Sequence, residues 1–444
     1  MKFIADFHIH SKYSRATSKD MVLEEIDRVA DEKGILVMGT GDFTHPQWFK
    51  EIKEKLEPAE QGLFKLKKQY KKETIKGNFS ETRFILTVEI SSIYSKNGKV
   101  RRIHNLIFAP SVETAEKIIS PLIFWGCNLN SDGRPIIGLD SEKLAEIVFG
   151  VDKDAVIIPA HAWTPWFSIF GSMSGFDSIE ECFGKYADKI FAIETGLSSD
   201  PEMNWRLSKL DKIALISNSD SHSLAKIGRE ANILDTELSY AGIMEAIKNG
   251  APEKLKNLKT EKLKNKFVAT IEFFPEEGKY HYDGHRICGK VFSPEESRKH
   301  KNICPVCGKP LTIGVMNRVE KLADREIKTE SKGNYRYLDN YTPYYNLVQL
   351  DEIIGGAYGI GVASKKVSEE YQKMIKTFGS ELKILLDASI DDLKSRADFR
   401  VVEGIKRVRD GNLKIRPGYD GEYGAVKIFT DEEKKDLEAQ KALF

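Results

Sequence analysis

The first 235 residues predict an α/β fold, a parallel sheet curved into a barrel, and three observations predict it. Short apolar runs of strand length alternate with amphipathic segments of helix length, such as MVLEEIDRVADEKG and SEKLAEIVFG, as in βαβ units. Seven of the apolar runs each carry a metal-ligand residue at their end. Ligands scattered in sequence but placed at strand ends meet in space at the C-terminal mouth of a parallel barrel.

In order, the runs are KFIADFHIH with His8 and His10, ILVMGTGDFTH with Asp42 and His45, RFILTVEI with Glu89, and RRIHNLIFAP with His104. AVIIPAHAW with His161, KIFAIETG with Glu194, and IALISNSDSH with Asp220 and His222 follow. Side chains two apart on a strand share a face, so His8 with His10 and Asp220 with His222 form two such pairs. Six of the nine histidines lie on these runs, and buried carboxylates beside them call for cations. Glu89 and Glu194 each have two oxygens with which to bridge ions. The expected cofactors are two or three divalent ions, zinc, manganese or magnesium, with Glu89, Glu194, Asp220 and His222 closest to the chemistry. Clustered cations neutralise phosphate oxygens and lower the pKa of a bound water from about 15.7 toward about 7. The expected reaction is phosphoester hydrolysis by that activated water.

Helix stops are expected at Gly34 and Gly150. Residues 46 to 80 are charged and expected to be helical, and residues 163 to 186 form a loop rich in aromatic and small residues. Residues 236 to 270 form a lysine-rich helical connector, with Lys248, Lys254, Lys256, Lys259, Lys262, Lys264 and Lys266. That segment is either a solvated helix face or a surface that tracks phosphates.

Residues 271 to 315 form a compact zinc-binding module. His285-Arg-Ile-Cys288 and Cys304-Pro-Val-Cys307 have the spacing of a ribbon or knuckle holding one structural zinc, with His281 and His300 as alternatives to His285. Residues 316 to 444 are expected to be mostly helical. There Gly359 and Gly361 open a helix beside Lys365 and Lys366, an arrangement able to receive a phosphate. It resembles one hairpin of a helix-hairpin-helix DNA-binding element.

Net charge is +1, so global charge says nothing for or against a nucleic-acid partner. No run is long enough to span a membrane. With the chain opening directly into a strand, no signal peptide is expected and the expected compartment is the cytoplasm.

The motifs FHIHSKYS, GTGDFTH, VEIS, HNLIF, PAHAW and SNSDSH resemble those of the polymerase-and-histidinol-phosphatase (PHP) superfamily. The resemblance implies a distorted seven-stranded barrel with a trinuclear centre. It implies that His8, His10, Glu89 and Asp220 hold one ion, and Glu89, His161 and Glu194 a neighbouring one. Asp42 or His45, with His104 and His222, are then available for the rest. Two departures stand out: Phe43 and Thr44 separate Asp42 from His45, and Arg15, Ala16 and Thr17 stand where a carboxylate is usual.

FHIHSKYS, PAHAWTPW, CPVCGKPL and IRPGYDGEYG, in this order, resemble the endonuclease Q family over the full length. That resemblance implies a DNA repair endonuclease cutting 5′ of a deaminated base (uracil, hypoxanthine, xanthine) or an abasic site and leaving a 3′-hydroxyl. An altered base has to leave the stack to be read. Trp163, Trp166, Phe167 and Phe170 are candidates to wedge or stack, and amides of the Gly171 to Gly175 loop to read a keto group. Arg101, Arg102 and Arg229 are candidate phosphate clamps. The alternatives are a PHP-type phosphatase of small esters and a noncatalytic DNA-binding scaffold. Gln440, Leu443 and Phe444 share residue types, but not spacing, with a sliding-clamp peptide, which makes the clamp a weak candidate partner.

Overall fold

The computed structural model describes residues 1–257, 264–430 and 432–434. Lys259, Lys262, the clamp-like Gln440, Leu443 and Phe444, and most of the expected last helix lie outside the described residues. Seven strands build the core of the first half: β1 (Lys2–Asp6), β2 (Val37–Gly39), β3 (Arg83–Lys96), β4 (Lys99–Ala109), β5 (Val156–Pro159), β6 (Ala192–Glu194) and β7 (Ala214–Ile216). β1, β2 and β3 pair in parallel, as do β6 and β7. Two joints close the ring. The Ala162 N–H donates to the Glu194 carbonyl just past β5 and β6, and a parallel bridge joins Ile9 to Ser221 past β1 and β7.

The barrel is not all-parallel. β4 runs antiparallel to both β3 and β5. The cause is local: Asn97 and Gly98, with φ of 55° and 72°, form a two-residue turn that folds β3 and β4 into one long hairpin. Glu89 and His104 therefore lie within a hairpin rather than at the ends of two parallel strands. Between the strands, Phe7, Ile85, Leu106, Phe108, Ile158 and Ile216 pack with Ile243 and Ile247 of the helix Tyr240–Asn249.

α1 (Leu23–Lys33) stops at Gly34 in the left-handed region, as its sequence predicts. Two other expectations are corrected. The helix Ser141–Val151 runs through Gly150. Of residues 46 to 80 only Pro46–Lys55 is α-helical; Leu56–Pro58 and Phe64–Leu66 pair as short antiparallel strands, because apolar positions there alternate.

The boundary at residue 235 is crossed by a sheet. β8 (Ala231–Asp235) pairs antiparallel with β1, and β9 (Lys266–Glu272) pairs with β8. β10 (Glu330–Lys332), β11 (Tyr335–Tyr337) and β12 (Tyr344–Asn346) extend the same sheet, β12 lying parallel to β9. The connector thus ends in a strand, and residues 316 to 346 are not mostly helical. Beyond them come the helices Leu350–Tyr358, Lys365–Phe378, Glu381–Leu386, Ile390–Arg396 and Phe399–Asp410. This bundle is tied to α1 by the buried Lys33–Glu381 ion pair at 2.6 Å.

The turn-rich segment 417–424 is a strap. Backbone N–H groups of Gly418, Gly421 and Gly424 donate to the carbonyls of Glu276, Lys279 and Glu277, and Asp420 accepts from the Arg286 N–H. It binds the far end of the chain to the residues that lead into the cysteine module.

Candidate metal centre and adjoining clefts

After β2, β5 and β7 the chain turns through non-glycine residues with positive φ: Asp42 at 50°, His161 at 29° and Asp220 at 45°. Such conformations cost energy and persist where surrounding structure enforces them. The turns bring the ligands together in two groups that share one carboxylate. His8, His10, Glu89 and Asp220 offer atoms within 4.8 Å of one another, as do Glu89, His104 and His161. His104 Nδ1 lies 2.7 Å and His161 Nε2 2.9 Å from Glu89 Oε1, while His10 Nε2 lies 3.3 Å from Oε2.

Burial opposes charge on Glu89, but the His104, His8 and His10 imidazoles outweigh it and hold its carboxyl well below the usual range. Burial likewise opposes charge on His8, yet Glu194, Glu89 and Asp220 keep its pKa well above the ordinary value. His104 differs, because burial pushes its pKa down to about 4 despite the neighbouring Glu89. His8 Nε2 is buried and makes no hydrogen bond, although it faces Glu89 and Asp220 at 3.6 and 3.7 Å. A buried, unpartnered imidazole nitrogen beside two carboxylates fits a divalent ion.

Several nominated ligands stand one layer back. Glu194 enters neither group; it lies 3.0 Å from His8 Nδ1 and accepts from the His161 N–H and the Asn218 amide. Asp42 lies 3.1 Å from His10 Nδ1 and accepts from Ser11 and Ser14. Each therefore sits at the second nitrogen of a candidate ligand ring, where carboxylates stand behind metal-bound histidines. His45 caps the helix Pro46–Lys55 and stacks on Tyr13, which takes it out of the cluster. The two intervening residues, Phe43 and Thr44, carry it past the rim. His222 lies beside His10, ring centroids 4.4 Å apart, with Nδ1 against the Asp220 carbonyl, but joins neither group.

A second donor set unites His285, Cys288, Cys304 and Cys307 within 4.8 Å. His285 ends the short hairpin Asp283–His285/Lys290–Phe292, and the Cys304 to Cys307 turn closes through Gly308 N–H on the Cys304 carbonyl. His281 and His300 are not in it: His281 is buried against Tyr282, and His300 packs on Phe292.

Two clefts adjoin the barrel mouth. One, about 410 Å³, is lined by Ser91, His104, Arg134, His161, Trp166 and Asp220. The other, about 540 Å³, is lined by Arg102, Trp166, Phe167, Lys279, Tyr280 and His281. Thr164, Trp166, Phe167 and Ser198 border both. Trp166 is 37% exposed and meets Tyr280 edge-on at 5.7 Å. Trp163 and Phe170 are corrections: both are buried, Trp163 donating to Asn204, so neither reaches a ligand. The amides of Gly171, Met173 and Gly175 are also taken, by carbonyls of their own loop. Arg101 donates to the Gly175 carbonyl and Arg229 to that of Ser219, leaving only Arg102 of the three nominated arginines on a cleft. Far along the chain, Gly359 ends the helix Leu350–Tyr358, Lys365 is exposed at the start of the next, and Lys366 lies over the Tyr358 ring. Gly361 sits in the turn between them, with open space where a side chain would stand.

Sequence reasoning missed Arg134, Asp132, Tyr280 and Lys279. The Asp-Gly pair at 132–133 was the available signal for the first two, since it marks a tight loop.

Residues 349–412 match the family described as the MJ0043 C-terminal domain. The uncharacterized protein MJ0043 of Methanocaldococcus jannaschii is 34% identical over 303 residues, 66% of this chain; the chain spans 36% of that relative's length. The crystal structure of the lesion-specific endonuclease PfuEndoQ from Pyrococcus furiosus has 30% identity and a TM-score of 0.80, covering 99% of each chain. A structure of endonuclease Q with a 27-mer duplex carrying an abasic lesion at its active site has 30% identity and a TM-score of 0.79, covering 98% of each. With that identity carried over essentially its whole length, the chain belongs to the endonuclease Q family.

Proposed function

We propose that this protein is a metal-dependent DNA repair endonuclease. It hydrolyses the phosphodiester on the 5′ side of a deaminated base or an abasic site and leaves a 3′-hydroxyl. The observation that carries this reading is a carboxylate, Glu89, shared by two ligand groups beside an aromatic-walled cleft. Its relative with an abasic duplex at the active site supports DNA as the substrate. His8, His10, Glu89 and Asp220 would hold one ion, and Glu89, His104 and His161 a second. Bound zinc, manganese or magnesium supplies water activation and charge compensation for a phosphoryl group.

The chain's own residues do the rest. Glu194 and Asp42 hold the His8 and His10 rings in fixed orientation, which lowers the reorganisation needed during reaction. Trp166 and Tyr280 offer stacking faces for an extruded nucleotide, and the backbone around Gly278 and Lys279 borders the same cleft. His285, Cys288, Cys304 and Cys307 would hold a structural zinc. In a tetrahedral site with Zn–S about 2.3 Å and Zn–N about 2.0–2.1 Å, a sulfur and a ring nitrogen stand about 3.6 Å apart; Cys307 Sγ lies 3.9 Å from each His285 ring nitrogen. The exposed Lys365 beside the Gly359–Gly361 turn supports DNA contact by the C-terminal helices.

The test uses end-labelled duplexes bearing uracil, hypoxanthine, an abasic site or no lesion, with Mg²⁺ or Mn²⁺. A nick 5′ of the lesion is expected, and Asp220→Asn should abolish it. Absence of any lesion-dependent nick refutes the proposal.

A further inference from the structure

Among the described residues, Arg134 is the one arginine that the loops bring to both the shared carboxylate and the cleft beside it. Its Nη1 lies 3.2 Å from Glu89 Oε2, its side chain is 26% exposed, and it lines the cleft with His104, His161 and Asp220. The loop that carries it is braced by one internal hydrogen bond and pinned to neighbouring segments by three. Asp132 accepts from the N–H groups of Arg15 and Arg134, the Gly133 N–H donates to the Tyr13 carbonyl, and the Ser91 N–H donates to that of Pro135. Gly133 passes so close to the site that a Cβ there would lie 2.2 Å from Asp42 Oδ2 and 2.4 Å from Ser14 Oγ. No side chain fits, so the loop can approach only through glycine. An arginine held by a rigid loop, with part of its fork facing open space, is preorganised to bind a second oxyanion.

We propose that Arg134 contacts a nonbridging oxygen of the scissile phosphate and stabilises the charge that grows there in the transition state. This rests on the phosphodiesterase reading above. A guanidinium aimed at developing charge acts on the rate more than on substrate affinity.

The test compares wild type with Arg134→Ala, Arg134→Gln and Arg134→Lys in single-turnover nicking, duplex affinity, metal content and melting temperature. The alanine and glutamine variants should nick about 10²–10³-fold more slowly, with metal content and duplex affinity little changed. Added guanidinium ion should restore part of the alanine variant's rate, and Lys should fall between. If Arg134 instead serves to position Glu89 as a ligand, the variants will lose metal, and excess metal will restore the rate; that outcome overturns the proposal. So does a rate within about threefold of wild type in a folded glutamine variant. If the wild type nicks no lesion, the endonuclease reading fails, and the same comparison on bis(p-nitrophenyl) phosphate decides Arg134 independently.

Discussion

Replacing Glu194 by glutamine separates a residue that holds a ligand from one that is a ligand. Glu194 accepts from the His161 N–H at 2.8 Å and the Asn218 amide at 2.9 Å, and sits 3.0 and 3.1 Å from His8 Nδ1. Glutamine is nearly isosteric and its carbonyl can keep the backbone contact, so the fold should survive. The negative charge behind His8 disappears, which lowers the basicity of its free Nε2. Loss of such a supporting carboxylate costs about 10–100-fold in metal affinity, roughly 1.4–2.7 kcal/mol. Glu89→Gln, by contrast, weakens a ligand common to both groups. The assay is metal content after dialysis against graded chelator, counted beyond the ion assigned to the cysteine module. Glu194→Gln should bind the same number of ions as wild type at saturating metal and release them at lower chelator. If it lacks a whole ion even at saturation, as a lost ligand would cause, Glu194 is a ligand and the layered reading is wrong.

Three further predictions follow from burial and charge. Lys33→Met leaves Glu381 buried without its cation and should cost about 3–5 kcal/mol in denaturant unfolding, much of it recovered on adding Glu381→Gln; a change below about 1 kcal/mol, the range of an exposed pair, would refute a stabilising role. Burial raises Glu272 to about 8, so the folded state holds its proton more tightly than the unfolded chain. Its contribution is full below the unfolded value near 4.3 and is lost as pH rises toward about 8. The melting temperature of Glu272→Gln relative to wild type should therefore climb across that window, and a flat difference would contradict the assignment. Cys307→Ser should release one ion and loosen the module, with the barrel ions retained; unchanged metal stoichiometry would exclude the four-residue site.

The candidate ligands were legible because each lies on or just past an apolar run that has to become a strand. What the strands did with them was less so. RFILTVEI and RRIHNLIFAP look alike in either direction, and only the Asn97-Gly98 pair between them signals the reversal. KFVATIE at 266–272 was split between the lysine-rich connector and the start of the zinc-binding module, although its alternation marks a strand that β8 pairs with. Roles within the site were hidden for a different reason. Sequence shows that Glu194 and Asp42 arrive at the rim, but whether a carboxylate joins a ligand group or backs an imidazole depends on side-chain placement set by neighbouring strands and loops. Trp163 illustrates the same limit, since nothing in PAHAWTPW distinguishes the buried tryptophan from the exposed Trp166.

The β1–β8 pairing has a consequence for how the chain is made. β1 is synthesised roughly 225 residues before β8, and at about 5–20 residues per second the wait is roughly 10–45 s. Until then the edge of β1 that faces β8 is unpaired, and the Ile9–Ser221 bridge that closes the ring cannot form. His8 and His10 leave the ribosome first, yet Asp220 is among the last ligands to arrive. A nascent chain stalled before Asp220 already carries Glu89, His104 and His161 but lacks the fourth member of the His8, His10, Glu89 and Asp220 group, so translation sets the earliest moment at which that group is complete.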